Sequence, residues 1–143
     1  YWLGRNWGSH MAELTITADN VRLGANLKTF RGVAGETITP MMPVYKHTDR
    51  EYHKAANTSA LLADCKGLVI GFGEDGVSIE VATEGLITPG STLVLNTLYV
   101  IGSSGKIMPY DDLASGKFGT VLGWAVTTAV LDLQIRTSGV ATP

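Results

Sequence analysis

The clearest hydrophobic pattern runs from Gly67 to Leu86, GLVIGFGEDGVSIEVATEGL. A short apolar run at residues 68–70 lies between two glycines, as expected of a strand covered on both faces. The Asp75-Gly76 pair favours a tight turn, because both residues tolerate positive φ angles. Over residues 77–82, branched apolar residues alternate with polar or small ones, which indicates a half-buried strand. This stretch is therefore predicted to form a β-hairpin.

A similar pattern returns from Gly119 to Ile135, GTVLGWAVTTAVLDLQI. Both stretches begin with G-x-V-[IL]-G-aromatic, an alignment that matches Gly67 with Gly119 and Phe72 with Trp124. In both, the returning strand alternates apolar and polar residues. Upstream of each hairpin, a V-Y or L-Y pair ends a segment that begins at a turn glycine. The chain is therefore predicted to contain two related units, with chance likeness between two hairpins as the alternative.

Two pseudo-repeated hairpin units, over residues 35–86 and 90–135, predict an all-β fold. We expect a small single-domain β-sandwich or barrel with at most a short helical turn, because a solenoid needs three or more stacked units. Residues 91–101 are rich in Leu, Val, Thr and Tyr and are predicted to form one strand of the second unit. The predicted core comprises Val69, Phe72, Val77, Ile79, Val121, Trp124, Leu131 and Leu133.

The ends of the chain are predicted to differ from its middle. Residues 1–11 are interpreted as a leader derived from a vector, because Gly8-Ser9-His10-Met11 matches the remnant of a cleavable tag. Residues 12–34 are predicted to be an N-terminal arm and entry strand, and residues 35–137 the β domain. Residues 138–143 are small and polar and are expected to fray.

The arm contains one short strand-like segment, Leu14, Thr15, Ile16 and Thr17, in which apolar residues alternate with threonines. It lies outside the two units, so we predict that it pairs with another chain and is loose without it. An edge strand of the protein's own sheet is the equal alternative.

Charge and composition exclude some partners. The chain has 11 basic and 13 acidic residues, and setting the leader aside removes Arg5 and takes the net charge from −2 to −3. An acidic domain is not expected to bind nucleic acid nonspecifically. No apolar run approaches the ~20 residues that span a bilayer, so no membrane partner is predicted. The lone Cys65 predicts no internal disulfide, which fits a protein made in a reducing cytoplasm.

The most ligand-like group is His47, Asp49, Glu51 and His53. These four residues straddle a polar turn, and their spacing matches no established metal motif, so they are interpreted as a solvated hairpin tip and no metal is predicted.

Other candidates for chemistry have structural interpretations. Asp111 and Asp112 are adjacent and should diverge, whereas an acid-base pair must converge on one substrate atom. Cys65 has no evident partner base. The glycines at 71, 73 and 76 form G-x-G-x-x-G, but between two strands, where a dinucleotide fingerprint does not occur. We expect no enzyme activity, no catalytic residue and no cofactor.

The succession of segments over residues 35–135 resembles the capsid decoration, or cement, proteins of tailed bacteriophages. The sequence departs from that family at Met41-Met42, where a short polar turn is usual, and in a longer loop at residues 57–66. The matching positions are Gly35, Val44, Tyr45, Lys54, Ala55, Gly67, Gly85, Tyr99, Gly105, Val121, Gly123 and Ala125.

The resemblance implies a homotrimer that binds the major capsid protein on the outer surface of the mature head. Such a protein is made in the bacterial host cytoplasm and ends on the virion. The resemblance also implies that residues 14–17 pair with capsid strands. The alternative is a carbohydrate- or receptor-binding β module, such as the base of a head or tail fibre. That module would need exposed aromatic residues, whereas the one Trp outside the leader holds a core-like position.

Overall fold

Strands form where branched and aromatic residues cluster or alternate. The computed structural model describes residues 13–143 and contains no α-helix there, which confirms the all-β fold class. None of the described segments is a helix long and apolar enough to cross a membrane. Two short 3₁₀ turns, Ala18–Asn20 and Tyr110–Asp112, interrupt the chain. The strands are β1 (Arg22–Leu23), β2 (Lys28–Val33), β3 (Pro43–Lys46), β4 (Tyr52–Lys54), β5 (Cys65–Val69), β6 (Ser78–Thr88), β7 (Leu98–Ile101), β8 (Ile107–Pro109), β9 (Phe118–Ala125) and β10 (Leu131–Ala141).

The strands form one antiparallel sheet in the order β4-β3-β5-β6-β10-β9-β7-β8, curled into a half-barrel. Strand β6 is its centre. Ala82 pairs with Leu68 of β5 and with Thr29 of β2, so β5 and β2 lie on opposite edges of β6. Glu84 pairs with Gln134 of β10 and with Lys28 of β2, so β10 follows β5 along the same edge.

The two predicted units are present as two copies of one strand arrangement. Unit 1 comprises β3 to β6 in the sheet order β4-β3-β5-β6, and unit 2 comprises β7 to β10 in the matching order β8-β7-β9-β10. Each unit also carries a β-bulge at the same place, directly before Gly67 in β5 and directly before Gly123 in β9. A shared bulge is a specific backbone feature, so the likeness of the two units is not a chance likeness of hairpins.

The glycines next to the bulges have the same surroundings. A Cβ atom on Gly67 would meet the carbonyl oxygen of Ala82, and a Cβ atom on Gly123 would meet that of Asp132. Both positions therefore require glycine because the neighbouring strand approaches the backbone closely. Gly67 thus corresponds to Gly123, four residues beyond Gly119, the residue that the sequence alignment matched with it.

This register shows that the predicted equivalence of Phe72 and Trp124 is wrong. Trp124 directly follows Gly123 and therefore corresponds to Leu68, which directly follows Gly67. Phe72 lies beyond the end of β5, in the loop before β6, and 58% of its surface is exposed. Val77 precedes β6 and is 46% exposed, so it too lies outside the core.

The remaining predicted core residues lie on the strands. Val69, Ile79, Leu131 and Leu133 are buried, whereas Val121 and Trp124 of β9 are half-buried. The larger of two core clusters spans both units, and the smaller lies in unit 1 and the chain before it. The largest fully buried side chains are Tyr99, Ile38, Met41, Leu68, Ile87, Leu93, Ile101, Ile107, Leu122, Leu131, Leu133 and Val44.

The C-terminal segment, for which fraying is predicted at residues 138–143, has backbone partners. Strand β10 continues to Ala141. Beyond it, the backbone N–H of Thr142 donates to the Lys117 carbonyl at 2.8 Å, and the N–H of Gly116 donates to the Thr142 carbonyl at 2.9 Å. These bonds fix the segment to the turn before β9, a long-range contact that local composition does not encode.

Candidate functional site

The N-terminal arm lies against unit 2. The backbone N–H of Leu14 donates to the Ile107 carbonyl of β8 at 2.7 Å, and the N–H of Thr17 donates to the Gly90 carbonyl at 3.0 Å. The Glu13 carboxylate accepts hydrogen bonds from the backbone N–H and hydroxyl of Ser103, at 2.7 and 2.6 Å. Leu14 and Ile16 pack against the larger core cluster, whereas Thr15 and Thr17 are exposed.

The contact between the arm and β8 has a counterpart in unit 1. There the carbonyl of Tyr52, which corresponds to Ile107, accepts a hydrogen bond from the Gly35 backbone at 2.8 Å. The arm thus covers in unit 2 the strand edge that residues 34–35 cover in unit 1. This arrangement agrees with the alternative prediction, in which residues 14–17 lie along an edge of the protein's own sheet. Their capsid-binding role stays a prediction.

A turn before β7 exposes three large apolar side chains. Val94 is 63%, Leu95 51% and Leu98 42% exposed, and we call this set the apolar turn. Sequence reasoning missed it because residues 91–101 read as one strand, whereas the strand begins at Leu98. The signal that could have located it is Asn96, whose backbone has a φ of 60°, a conformation that Asn tolerates better than most residues.

The apolar turn has a structural counterpart in unit 1. The N–H of Thr97 donates to the Val94 carbonyl at 3.2 Å, as the N–H of Met42 donates to the Thr39 carbonyl at 3.3 Å. The residues of unit 1 that correspond to Val94, Leu95 and Leu98 are nevertheless covered. Thr39 and Pro40 are half-buried and Pro43 is buried. The same backbone turn is therefore part of the packed structure in unit 1 and an exposed apolar surface in unit 2.

Two hydrogen bonds to strands β7 and β9 hold the apolar turn in place. The buried Tyr99 hydroxyl accepts a hydrogen bond from the backbone N–H of Val94 at 2.9 Å. The N–H of Asn96 donates to the Ala125 carbonyl of β9 at 2.9 Å. A turn fixed in this way would lose little conformational freedom on binding, and its exposed side chains are suited chemically to contact with another apolar surface.

The hairpin tip between β3 and β4 holds the ligand-like residues. The structure brings Asp49, Glu51 and His53 together, with one ligand atom of each within 4.8 Å of the others. Nε2 of His53 lies 3.0 Å from Oδ2 of Asp49, and the Glu51 backbone donates to the other Asp49 oxygen at 2.8 Å. The hydrogen bond from the Glu51 backbone and, to a smaller extent, the one with His53 lower the pKa of the Asp49 carboxyl. His47 lies beside the group, with its Nδ1 2.9 Å from the Tyr45 hydroxyl.

The other candidates for chemistry belong to neither of these two groups. Asp111 and Asp112 belong to the 3₁₀ turn after β8. Cys65 is buried at the start of β5, and burial raises the pKa of its thiol to about 12. The glycines at 71, 73 and 76 lie in the loop between β5 and β6, where Gly76 adopts a φ of 85° in the predicted turn.

Comparisons with known proteins give a likeness among solved structures. No family model matches the chain. No curated protein matches it either. Among solved structures, the chain is similar to the head fiber gp8.5 N base of bacteriophage phi29, with 17% sequence identity and a TM-score of 0.46 over 82% of this chain and 98% of that chain.

Proposed function

We propose that this protein is a phage head-surface protein that binds the outside of the mature head and stabilises the lattice of the major capsid protein. The observation that carries the proposal is the apolar turn, an exposed surface held by two hydrogen bonds that has no exposed counterpart in unit 1. The partner class comes from the resemblance of residues 35–135 to capsid decoration proteins. We further propose that the protein has no catalytic activity.

The positions that carry the resemblance fit this proposal. Gly67 and Gly123, two of the matching positions, are the glycines beside the two bulges. Val44 of β3, a third matching position, pairs with Gly67 of β5. The resemblance therefore concerns residues that build the duplicated sheet. The resemblance supports the assignment of this domain to the class of capsid decoration proteins. The apolar turn supports the place at which the domain would bind.

The mechanism requires only binding. A protein that binds the expanded lattice more tightly than the unexpanded one stabilises the expanded lattice by mass action. A homotrimer, which we also propose, would match a three-fold position on the head and engage three capsid subunits at once. Three weak contacts made together give a much higher affinity than one of them alone.

The test compares two exposed leucines. Leu95 of the apolar turn and Leu61, in the loop before β5, are 51% and 50% exposed. The expected result of Leu95→Ser is at least tenfold weaker co-sedimentation with expanded heads, equivalent to about 1.4 kcal/mol. Leu61→Ser is the matched control and should bind as the wild type does. Equal binding by both variants would show that the apolar turn does not contact the capsid.

The same assay examines the partner itself. Wild-type protein should bind expanded heads, leave unexpanded heads bare, and be visible by electron microscopy as projections at three-fold positions. Failure to bind any head of the phage that encodes the protein would overturn the proposed function.

A further inference from the structure

We propose that the tip of the β3–β4 hairpin binds a divalent transition-metal ion such as Zn²⁺, with Asp49, Glu51 and His53 as ligands. One side-chain ligand atom of each lies within 4.8 Å of the others. Solvent would complete the coordination. This site is separate from the apolar turn, so the inference does not depend on the proposed function.

The three ligand atoms lie within reach of a shared ion. Zn²⁺ binds nitrogen and oxygen at about 2.0–2.2 Å in a tetrahedral arrangement, so two ligand atoms around it are separated by about 3.3–3.6 Å. Closing from 4.8 Å therefore requires an approach of up to about 1.5 Å, which rotation of side chains at the hairpin tip can supply. One imidazole with two carboxylates suits an ion of borderline softness, whereas Ca²⁺ and Mg²⁺ prefer oxygen ligands alone.

The histidine is oriented for this role. Nδ1 of His53 lies 3.5 Å from Oε2 of Glu36, and that same oxygen accepts a hydrogen bond from the Lys54 backbone at 2.9 Å. Glu36 is thus fixed by the backbone beside Nδ1. Without an ion, Nε2 shares a hydrogen with Asp49 at 3.0 Å; an ion that binds Nε2 displaces that proton, and Glu36 then favours the tautomer with its proton on Nδ1. A carboxylate on the outer nitrogen is the usual second partner of a metal-binding histidine.

The aspartate is oriented in a similar way. Its Oδ1 accepts the backbone N–H of Glu51 at 2.8 Å, while Oδ2 faces Nε2 of His53 at 3.0 Å. A bound ion would displace the hydrogen that this oxygen and nitrogen share. The ligand atoms of Asp49 and His53 are therefore already adjacent, and the ion would bind to both from one side of the line that joins them.

The corresponding turn of unit 2 has the same backbone shape but lacks the three ligand side chains. It has the same shape, because Arg50 and Gly105 have φ angles of 70° and 72°. The bond from the His47 N–H to the Glu51 carbonyl at 2.9 Å also matches the bond from Gly102 to Lys106 at 2.8 Å. The residues of unit 2 that replace the three ligands cannot form such a site. They are Ser104, Lys106 and Met108.

The proposal is tested by calorimetric titration of the full chain with ZnCl₂ at pH 7.5 in a buffer that does not bind metals. We expect one saturable equivalent and a raised thermal midpoint in the presence of Zn²⁺. Asp49→Asn, Glu51→Gln and His53→Asn should each weaken binding at least tenfold. Asp49→Asn keeps the oxygen that accepts from Glu51, and its side chain is 43% exposed, so it should fold as the wild type does.

Two controls separate this site from other sources of binding. Asp75→Asn removes an exposed carboxylate from the β5–β6 loop and should leave the affinity unchanged. His10→Ala removes the one histidine of the leader and should also leave it unchanged. The proposal is overturned if Zn²⁺ does not bind, if all three ligand variants bind it normally, or if the His10 variant loses binding. None of these outcomes would alter the capsid-binding test.

Discussion

At the scale of single residues, Leu68 and Phe72 distinguish the two registers of the repeat. The sequence alignment makes Phe72 the counterpart of Trp124, whereas the strand pairing makes Leu68 that counterpart and leaves Phe72 58% exposed. We therefore expect Leu68→Ala to lower the free energy of unfolding by about 2–5 kcal/mol. Phe72→Ala should lower it by less than about 1 kcal/mol. Urea denaturation of both variants measures the difference, and a larger loss for Phe72→Ala would contradict the structural register.

At the scale of elements, the arm behaves as a strand-like cover for β8 and not as a free segment. Leu14 and Ile16 are half-buried against the larger core cluster. The double variant Leu14→Ser/Ile16→Ser should therefore lower the free energy of unfolding by about 2–3 kcal/mol, since each loses part of a buried side chain. Chemical denaturation is again the measurement.

The exposed threonines of the same segment supply the control for the arm. Thr15→Ala/Thr17→Ala should change stability by no more than about 0.5 kcal/mol, as expected for exposed positions. If the Leu14 and Ile16 double variant is as stable as the wild type, the arm leaves β8 in solution. In that case the original hypothesis of an arm that orders on the capsid regains its basis.

At the scale of the whole molecule, the proposed assembly is a homotrimer. Sedimentation equilibrium at micromolar concentration should give three times the 15.2 kDa mass of the chain. The Leu95→Ser variant should give the same mass, because the apolar turn is assigned to the capsid and not to the contact between subunits. A monomeric wild type would contradict the trimer. A Leu95 variant that alone is monomeric would instead assign the apolar turn to the subunit interface.

The sequence by itself determined the fold class, the two hairpins and the existence of two units, because these depend on local patterns. Alternating side chains mark a strand with one buried face, and Asp75-Gly76 marks a turn, whatever the rest of the chain does. It also located the ligand-like residues of the β3–β4 turn, which are close in sequence.

Only the tertiary structure decided the register between the units, the place of the arm and the convergence of Asp49, Glu51 and His53. The register follows from the close approach of β6 and β10 to Gly67 and Gly123, a contact between strands that no local pattern reports. The exposure of Val94 and Leu95 is likewise a matter of what covers them. The physical reason is the same in each case: strand pairing and burial are properties of residues far apart in the chain, whereas the pattern of a segment records only its own preferences.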